Sequence, residues 1–189
     1  ASDVYKRQMV IGMLTMGMVL CGAMTVSAES DGYVISASHG YGAVEHWEIK
    51  TIGMQDAAKD LGVEFNYKYA DGDLQQEVAD IENFVEMGTN YIIVGPCNSE
   101  GIVPVIEEAQ DKGVAVGTCD IGIEGVDVAS FVSSDNYGIG EIAADYIGTE
   151  MNGEGEIAIL TWPAASATAD RAKAVSYTHL RAHETRHDL

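Results

Sequence analysis

Short apolar runs alternate along this chain with amphipathic stretches of helical length, and this alternation constrains the fold more than any other feature. The apolar runs cover residues 33–38, 63–69, 91–95, 114–118, 128–132 and 156–161. The stretches that we predict to be helices cover residues 44–61, 74–88, 101–112 and 137–151. Strands that alternate with helices are typical of βαβ units, so the sequence predicts an α/β fold with a doubly wound parallel sheet.

The stretch 74–88 shows the helical pattern most clearly. Its apolar residues Val78, Ile81, Phe84 and Val85 fall at positions i, i+3, i+6 and i+7, which places them on one face of a helix. We expect this face to lie on the sheet. Three of the predicted helices end at or just before a glycine, which is common at helix ends: Gly62, Gly88 and Gly113.

The two ends of the chain, residues 1–8 and 175–189, are predicted to be translated sequencing adapter. One DNA element can encode Asp3–Gln8, and its reverse complement in a shifted frame can encode Val175–Leu180. This element resembles the mosaic end used in transposase-based sequencing libraries. We therefore assign no function to either end and leave both out of the fold prediction.

Without those ends the chain is strongly acidic. The ends hold four of the 10 Lys and Arg residues and three of the 30 Asp and Glu residues, so six basic side chains remain against 27 acidic ones. A surface with this charge repels nucleic-acid phosphates and anionic lipid heads. Because the sequence shows no basic patch, we expect no nucleic-acid partner and no direct membrane binding by the folded part.

Residues 9–28 have the pattern of a signal peptide. The chain is apolar from Met9 to Met24 and then reaches Val26-Ser27-Ala28, after which it becomes polar. This pattern predicts cleavage after Ala28 and a periplasmic or extracellular protein. An uncleaved membrane anchor is the alternative, because the apolar stretch approaches the length of a membrane span. Lipid attachment at Cys21 is disfavoured, because the bulky Leu20 precedes it.

The remaining part of the chain changes in composition at one place. Residues 152–155 are polar and rich in glycine, as expected of a connection between two structural units. We predict that residues 29–152 form one lobe with its own core, and that residues 153–174 supply the first strand and the helix start of a second lobe.

Polar and aromatic side chains follow several of the predicted strands. Ligands of open parallel sheets bind beyond the carboxyl ends of the strands, so these side chains are the candidate site. The candidates are His46, Trp47, Asn98, Asp120, Trp162 and, at the start of a following helix, Arg171. Aromatic faces cover apolar C–H surfaces, while carboxylate, amide and guanidinium groups bind hydroxyls. The set predicts a monosaccharide or polyol ligand.

Each candidate also has a structural interpretation. Asp and Asn after a strand often cap helices or form turns. Trp47 on an amphipathic helix has the pattern of a core residue, and His46 that of an exposed side chain. Asp120 remains the first candidate for ligand binding. Leaving a buried carboxylate without a hydroxyl partner costs free energy, so such a residue discriminates against ligand analogues that lack this hydroxyl.

Motifs of enzymes and cofactor sites are not found in the sequence. Gly40-Tyr41-Gly42 follows the first predicted strand, but Glu45 stands where a dinucleotide site needs a third glycine. No Gly-x-Ser-x-Gly, P-loop or His-Glu-x-x-His motif occurs. Cys97 and Cys119 lack the histidines of a metal site, and we expect them to be buried thiols, with a disulfide as the alternative. We expect no catalytic residue, cofactor or metal.

Several segments together resemble the ribose-binding branch of the type 1 periplasmic binding proteins. The similar segments, within residues 33–174, are Pro96–Ser99, Asp120, Ser134–Asn136, Ile142–Ile147 and Asp170–Ala174. The resemblance implies a two-lobed receptor that closes about a hinge and delivers a sugar-like solute to an ABC transporter permease. It also implies that His46 and Trp47 stack on the ligand, Asp120 accepts hydroxyl protons and Arg171 binds ligand oxygens. We expect a monomer.

This chain departs from the ribose binders at several positions. Ile121 stands where they carry an arginine, His46 replaces the first of two aromatic residues, and the loop 39–45 is longer. The resemblance therefore does not predict ribose itself. A related pentose, hexose, polyol or furanose stays open.

Three other functions share parts of this pattern. A sugar sensor for chemotaxis or kinase signalling has the same fold. So does the effector domain of a LacI-type regulator, but that needs a helix-turn-helix where this chain has its apolar leader. An exported α/β enzyme would need a nucleophile–base pair or a metal cluster. We expect solute binding for transport.

Overall fold

A computed structural model describes residues 32–42 and 44–184, with residues 178–184 described only as helix backbone. The predicted signal peptide, its cleavage site and the adapter at residues 1–8 lie outside this range. The described chain has five strands: β1 Val34–His39, β2 Glu64–Tyr69, β3 Tyr91–Gly95, β4 Ala115–Cys119 and β5 Ser130–Val132. It has five helices: α1 Glu45–Leu61, α2 Leu74–Glu86, α3 Val103–Asp111, α4 Asn136–Glu150 and α5 Ser166–Glu184.

The strands form one parallel sheet in the order β2-β1-β3-β4-β5. The chain leaves β1 toward β2 on one side and then returns past β1 to β3 on the other. Right-handed crossovers in opposite directions place helices on opposite faces of the sheet. The predicted doubly wound α/β fold is confirmed, and the direction of winding changes between β1 and β3, where such folds bind ligands.

The larger core lies between the sheet and helices α2 and α3. Ile81 and Phe84 of α2 and Ile106 of α3 are buried there against Ile92 and Val94 of β3. Val78 and Val85 of α2 pack against the same cluster. The face predicted for the stretch 74–88 therefore contacts the sheet, and its burial supplies a large part of the driving force for folding.

Local sequence signals explain where α1 and α2 end or begin. Gly62 follows α1 with φ +68°, a left-handed conformation that glycine adopts without a Cβ penalty. Asp73 precedes α2, and its carboxylate accepts hydrogen bonds from the backbone N–H groups of Gln75 and Gln76. These bonds satisfy N–H groups that the first turn of a helix leaves without partners.

The predicted strand over residues 156–161 is wrong. The segment pairs with no strand in the described part of the chain, and Leu160 is 94 % exposed. An apolar run forms a strand only where a neighbour supplies backbone hydrogen bonds, and the sequence of the run does not contain that information. The helix after it also begins five residues before Arg171, at Ser166.

The last two helices, α4 and α5, pack against each other. They approach closely at Gly140, where an added Cβ would lie 2.5 Å from the Arg171 carbonyl oxygen. The segment before α5 also contacts the loop after β3, because Ser99 N–H donates to the Ala164 carbonyl at 3.0 Å. Helix α5 runs past residue 174 to Glu184. The predicted boundaries at residues 152 and 174 stay predictions.

Within residues 32–42 and 44–184, no helix is both long enough and apolar enough to cross a membrane.

Candidate functional site

A cleft of about 460 Å³ lies at the carboxyl ends of the central strands. Four of the six predicted site residues line it: Trp47 from α1, Asp120 after β4, Trp162 before α5 and Arg171 within α5. Tyr41, from the loop after β1, lines it as well. The strand ends meet at one edge of a parallel sheet, and this explains why residues far apart in sequence converge there.

A second pocket, of about 380 Å³, also borders Asp120. Several hydroxyl and carboxylate side chains line it together with apolar ones; beside Asp120 they are Thr118, Glu124, Ser133, Ser134, Asp135, Ser166 and Asp170. Asp120 and Ala167 line both pockets, and Asp120 is the titratable residue that the two share.

The backbone of Asp120 holds a conformation that is unusual for a residue other than glycine. Its φ is +71°, in the left-handed region. Two hydrogen bonds keep it there. The Asp120 N–H donates to the Val132 carbonyl at 2.8 Å, and the Ser133 hydroxyl donates to the Asp120 carbonyl at 2.8 Å. Such strain costs free energy and is concentrated at functional sites.

The carboxylate of Asp120 is paired with a lysine that the sequence analysis did not select. Lys50 Nζ lies 3.1 Å from Asp120 Oδ2, and His46 Nε2 lies 3.2 Å from the same oxygen. Burial alone would raise the pKa of Asp120, but the Lys50 ammonium and, when protonated, His46 outweigh it and hold the pKa below the ordinary value. The group is an anion at neutral pH.

His46 is itself an exposed side chain that contacts Lys50. The distance from Lys50 Nζ to His46 Nε2 is 2.7 Å, which requires a lone pair on that nitrogen. We therefore assign the proton of the neutral ring to Nδ1 and treat Lys50 as the donor to both His46 and Asp120. His46, which was predicted to contact the ligand, thus lies beside Asp120 but does not line the cleft.

Trp47 is mainly a packing residue. It is 4 % exposed, and its ring lies over Gly95, where a Cβ would come within 2.7 Å of two ring carbons. Tyr41 is stacked beside it with ring centroids 6.2 Å apart, and Lys50 Nζ lies 4.2 Å from the ring centroid. Only part of the indole faces the cleft. Most of the Trp47 side chain is therefore packed in the core, as the structural interpretation of this residue expected.

Trp162 and Tyr41 are the aromatic side chains that a ligand can reach more easily. Trp162 is 58 % exposed, and Tyr41 is half-buried. The two also contact each other: burial and the nearby Cys97 raise the pKa of the Tyr41 hydroxyl, while a hydrogen bond with Trp162 lowers it. The contact connects the loop after β1 with the segment before α5.

A buried hydrogen-bond network supports the floor of the site. The Thr51 hydroxyl donates to the Trp47 carbonyl at 3.0 Å and accepts from His39 Nε2 at 3.0 Å and from the Tyr69 hydroxyl at 2.9 Å. His39 Nδ1 has no hydrogen-bond partner among the residues that the structure describes. Burial, with a smaller effect of the Lys50 charge, lowers the pKa of His39 to about 4, so the ring is neutral at physiological pH.

The loop after β3 is fixed by a buried glutamate. Glu77 Oε2 accepts a hydrogen bond from Cys97 N–H at 3.0 Å, and burial raises the pKa of Glu77 to about 7. Cys97 and Cys119 are free thiols in the structure, and burial raises the pKa of Cys97 to about 12. Neither thiol is activated as a nucleophile.

Asn98 does not line the cleft. Its Oδ1 accepts hydrogen bonds from the backbone N–H groups of Glu100 at 3.1 Å and Gly101 at 2.8 Å. This is the turn-forming role that Asn often has after a strand. A contact between Asn98 and the ligand stays a prediction.

Arg171 is positioned by its own helix. Its Nε donates to the Ala167 carbonyl at 3.2 Å, one turn earlier. The remaining guanidinium N–H groups can donate to ligand oxygens, since arginine has five donors in a fixed plane.

The sequence analysis missed Tyr41 and Lys50. Tyr41 lies between two glycines directly after β1, and an aromatic at a strand end was a usable signal. Lys50 follows His46 by four residues and so lies on the same side of the helix. Its role depends on Asp120, which is 70 residues away in sequence, so no local pattern could reveal it.

The arrangement suits the binding of a polar, uncharged molecule. The cleft combines one carboxylate, one guanidinium group and exposed aromatic surface, and the Lys50 ammonium lies beside it against the carboxylate. In the part of the chain that the structure describes, no three His, Cys, Asp or Glu side chains are grouped so that they could hold a metal ion.

Comparison with known proteins gives one family. The family described as periplasmic binding protein domain matches residues 40–179. The ribose import binding protein of Bacillus subtilis (strain 168) is 32 % identical over 120 residues, which are 63 % of this chain and 39 % of that protein. The D-xylose-binding periplasmic protein of Haemophilus influenzae is 30 % identical over 133 residues, covering 69 % and 40 %. The chain thus spans about two fifths of these relatives.

Solved structures with the same fold include an ABC transporter solute binding protein of Bacillus halodurans C-125 with bound myo-inositol. It is 25 % identical in sequence, with a TM-score of 0.72. The match covers 79 % of this chain and 53 % of that one.

Proposed function

This chain belongs to the periplasmic binding protein domain family, and we propose that the intact protein captures a monosaccharide or polyol outside the cytoplasm for uptake. The cleft of about 460 Å³ at the strand ends is the observation that supports this proposal most strongly. It combines an ionised carboxylate, a guanidinium group and two reachable aromatic rings. These are the groups that a neutral, hydroxyl-rich molecule needs in order to bind.

The proposed contacts follow from the chemistry of each group. Asp120 accepts hydrogen bonds from ligand hydroxyls, and Arg171 donates hydrogen bonds to ligand oxygens. Trp162 and Tyr41 cover the apolar C–H surface, with a smaller contribution from the edge of Trp47. His46 and Asn98 stay proposed ligand residues of lower rank, because both lie near the cleft without lining it.

The names of the relatives support the ligand class and the location. Those relatives are named as binding ribose and D-xylose, and the solved structure holds myo-inositol. We extend this to a sugar or polyol for the present chain, delivered to an ABC transporter permease by a monomer in the periplasm or outside the cell. Capture between two lobes needs no covalent step, so the proposal includes no enzymatic reaction.

Calorimetric titration of the intact protein tests this function. D-ribose, D-xylose, xylitol and myo-inositol form the first panel. We expect at least one to bind, and D120N to weaken it about tenfold to hundredfold, because the variant loses a charged acceptor of hydroxyl protons. D60N is the matched control, since Asp60 is exposed on α1 far from the cleft.

Two outcomes would count against the proposal. Absence of binding heat across the whole panel contradicts sugar capture, and equal losses in D120N and D60N contradict the cleft as the site. The gene beside the complete reading frame separates transport from sensing, because a permease supports uptake and a sensor kinase supports the signalling alternative.

A further inference from the structure

Lys50 is held beside the cleft by three separate contacts. Its Nζ lies 2.7 Å from His46 Nε2, 3.1 Å from Asp120 Oδ2 and 4.2 Å from the centroid of the Trp47 ring. The side chain is 21 % exposed, whereas Lys112 in a simple surface ion pair is 51 % exposed. A long, flexible side chain loses rotamer entropy when it is held this way. A surface salt bridge alone stabilises a protein too weakly to explain it.

The Lys50–Asp120 pair still has hydrogen-bonding capacity. An ammonium group has three N–H donors, and the contacts with His46 and Asp120 use two of them. A carboxylate has two oxygens with about four acceptor positions, and both Lys50 and His46 approach the same oxygen, Oδ2. The pair therefore offers a ligand one donor and one acceptor, held side by side.

The free donor and the free acceptor belong to two groups that touch each other, since Lys50 Nζ lies 3.1 Å from Asp120 Oδ2 and the unoccupied Oδ1 is on the same carboxylate. Oxygens on adjacent carbons of a vicinal diol are close enough together to reach both groups at once. One hydroxyl can donate to Asp120 while its neighbour accepts from Lys50. A ligand that lacks either oxygen leaves a charged group without a partner, which costs more than a missing neutral contact.

A ligand carboxylate fits this pair less well. It can accept from Lys50, but it then lies against the Asp120 anion in a protein of formal net charge −20. An isolated hydroxyl satisfies only one of the two groups.

We propose that Lys50 is a specificity-determining residue of the cleft and that, together with Asp120, it selects neutral ligands with hydroxyls on adjacent carbons. This inference rests on the proposed function, because the ligand must occupy the same cleft. Lys50 is then a direct ligand contact as well as the partner of Asp120.

The test uses the intact protein and three substitutions on α1. K50M removes the ammonium and keeps the apolar stem, K50R keeps the charge and donors, and K59M is a control at the exposed end of the same helix. Each is titrated with D-ribose, D-xylose, xylitol and myo-inositol. Monodeoxy analogues of each compound that binds are then titrated against the wild type and K50M.

We expect K50M to bind about tenfold to hundredfold more weakly than the wild type, with K50R intermediate and K59M unchanged. In the wild type, removal of either of two adjacent hydroxyls should weaken binding to a similar degree. In K50M, removal of the hydroxyl that faces position 50 should have almost no further effect, while removal of its neighbour should still weaken binding. This loss of coupling is a readout that a purely structural role would not produce.

Thermal melting of each variant shows whether it folds, and K50Q replaces K50M if K50M does not. If the wild type binds a compound and K50M binds it with an affinity within twofold of the wild type, the role of Lys50 is overturned and sugar capture stands. The same conclusion follows if the deoxy analogues lose as much affinity for K50M as they do for the wild type. If the wild type binds no compound of the panel, both sugar capture and this inference are overturned.

Discussion

Asp120 shows how a single residue can carry both strain and function. Its left-handed backbone is held by hydrogen bonds to Val132 at the end of β5 and to Ser133, and its side chain lines two pockets. The Lys50 ammonium on α1 balances the charge of that carboxylate, and His46 lies against the same oxygen. The residue is therefore already positioned before a ligand arrives, which lowers the entropy that binding must overcome.

Gly95 is the residue on which the position of Trp47 depends. In G95A, the new Cβ would lie 2.7 Å from two ring carbons of Trp47 and 3.2 Å from the Cys119 carbonyl oxygen. We expect the variant to lower the free energy of unfolding by about 1–3 kcal/mol, as overpacked sites typically do. Urea unfolding of the intact protein measures this.

Gly53 provides the matched control for this prediction. It lies within α1, and no atom approaches the position of an added Cβ within 4 Å. G53A should therefore raise stability by about 0.5–1 kcal/mol, because alanine favours a helix over glycine. Equal effects of G95A and G53A would show that Trp47 does not depend on the missing side chain at position 95.

At the scale of elements, α2 connects the core with the site. Its apolar face packs on β3, while Glu77 on the same helix holds the loop after β3 through Cys97 N–H. The start of the helix depends on Asp73, whose carboxylate accepts from Gln75 N–H at 2.9 Å and Gln76 N–H at 3.3 Å.

We expect D73A to lower the free energy of unfolding by about 1 kcal/mol, because the cap residue satisfies N–H groups of the first turn. D56A, an exposed change within α1, should cost less than about 0.5 kcal/mol. Chemical denaturation of both variants tests the difference. If D73A were as stable as D56A, the cap would contribute nothing to α2.

At the scale of the whole molecule, two buried groups on different elements give stability opposite dependences on pH. The pKa of Glu77 is raised to about 7, so its contribution is present below about pH 4.5 and is lost as the pH rises to about 7. The pKa of His39 is lowered to about 4, so its contribution is present above about pH 6.5 and is lost as the pH falls to about 4.

E77Q isolates one of these effects. Relative to the wild type, the variant should gain stability steadily between about pH 4.5 and pH 7, by about 2–3 kcal/mol in total, because it cannot ionise. Urea unfolding at half-unit pH steps provides the measurement. Curves for E77Q and the wild type that run parallel over this range would show that Glu77 does not titrate in the folded protein as expected.

Much of the fold and part of the site could be predicted before the structure was known. The alternation of apolar runs and amphipathic stretches predicted six strands, of which five are present, and four helices that are all present, because burial on one helix face leaves a periodic pattern in the sequence. The same strand ends indicated Trp47, Asp120, Trp162 and Arg171. Glycines at helix ends and Asp73 before α2 are local signals of the same kind, since caps act on their own neighbours.

The tertiary structure decided what depends on distant partners. Residues 156–161 have the composition of a strand, but a strand needs a neighbour for its backbone hydrogen bonds, and the described chain offers none. Lys50 entered the site only because folding brings α1 against the end of β4. The sequence thus determines local periodicity and caps, whereas contacts between distant residues exist only after the sheet has assembled.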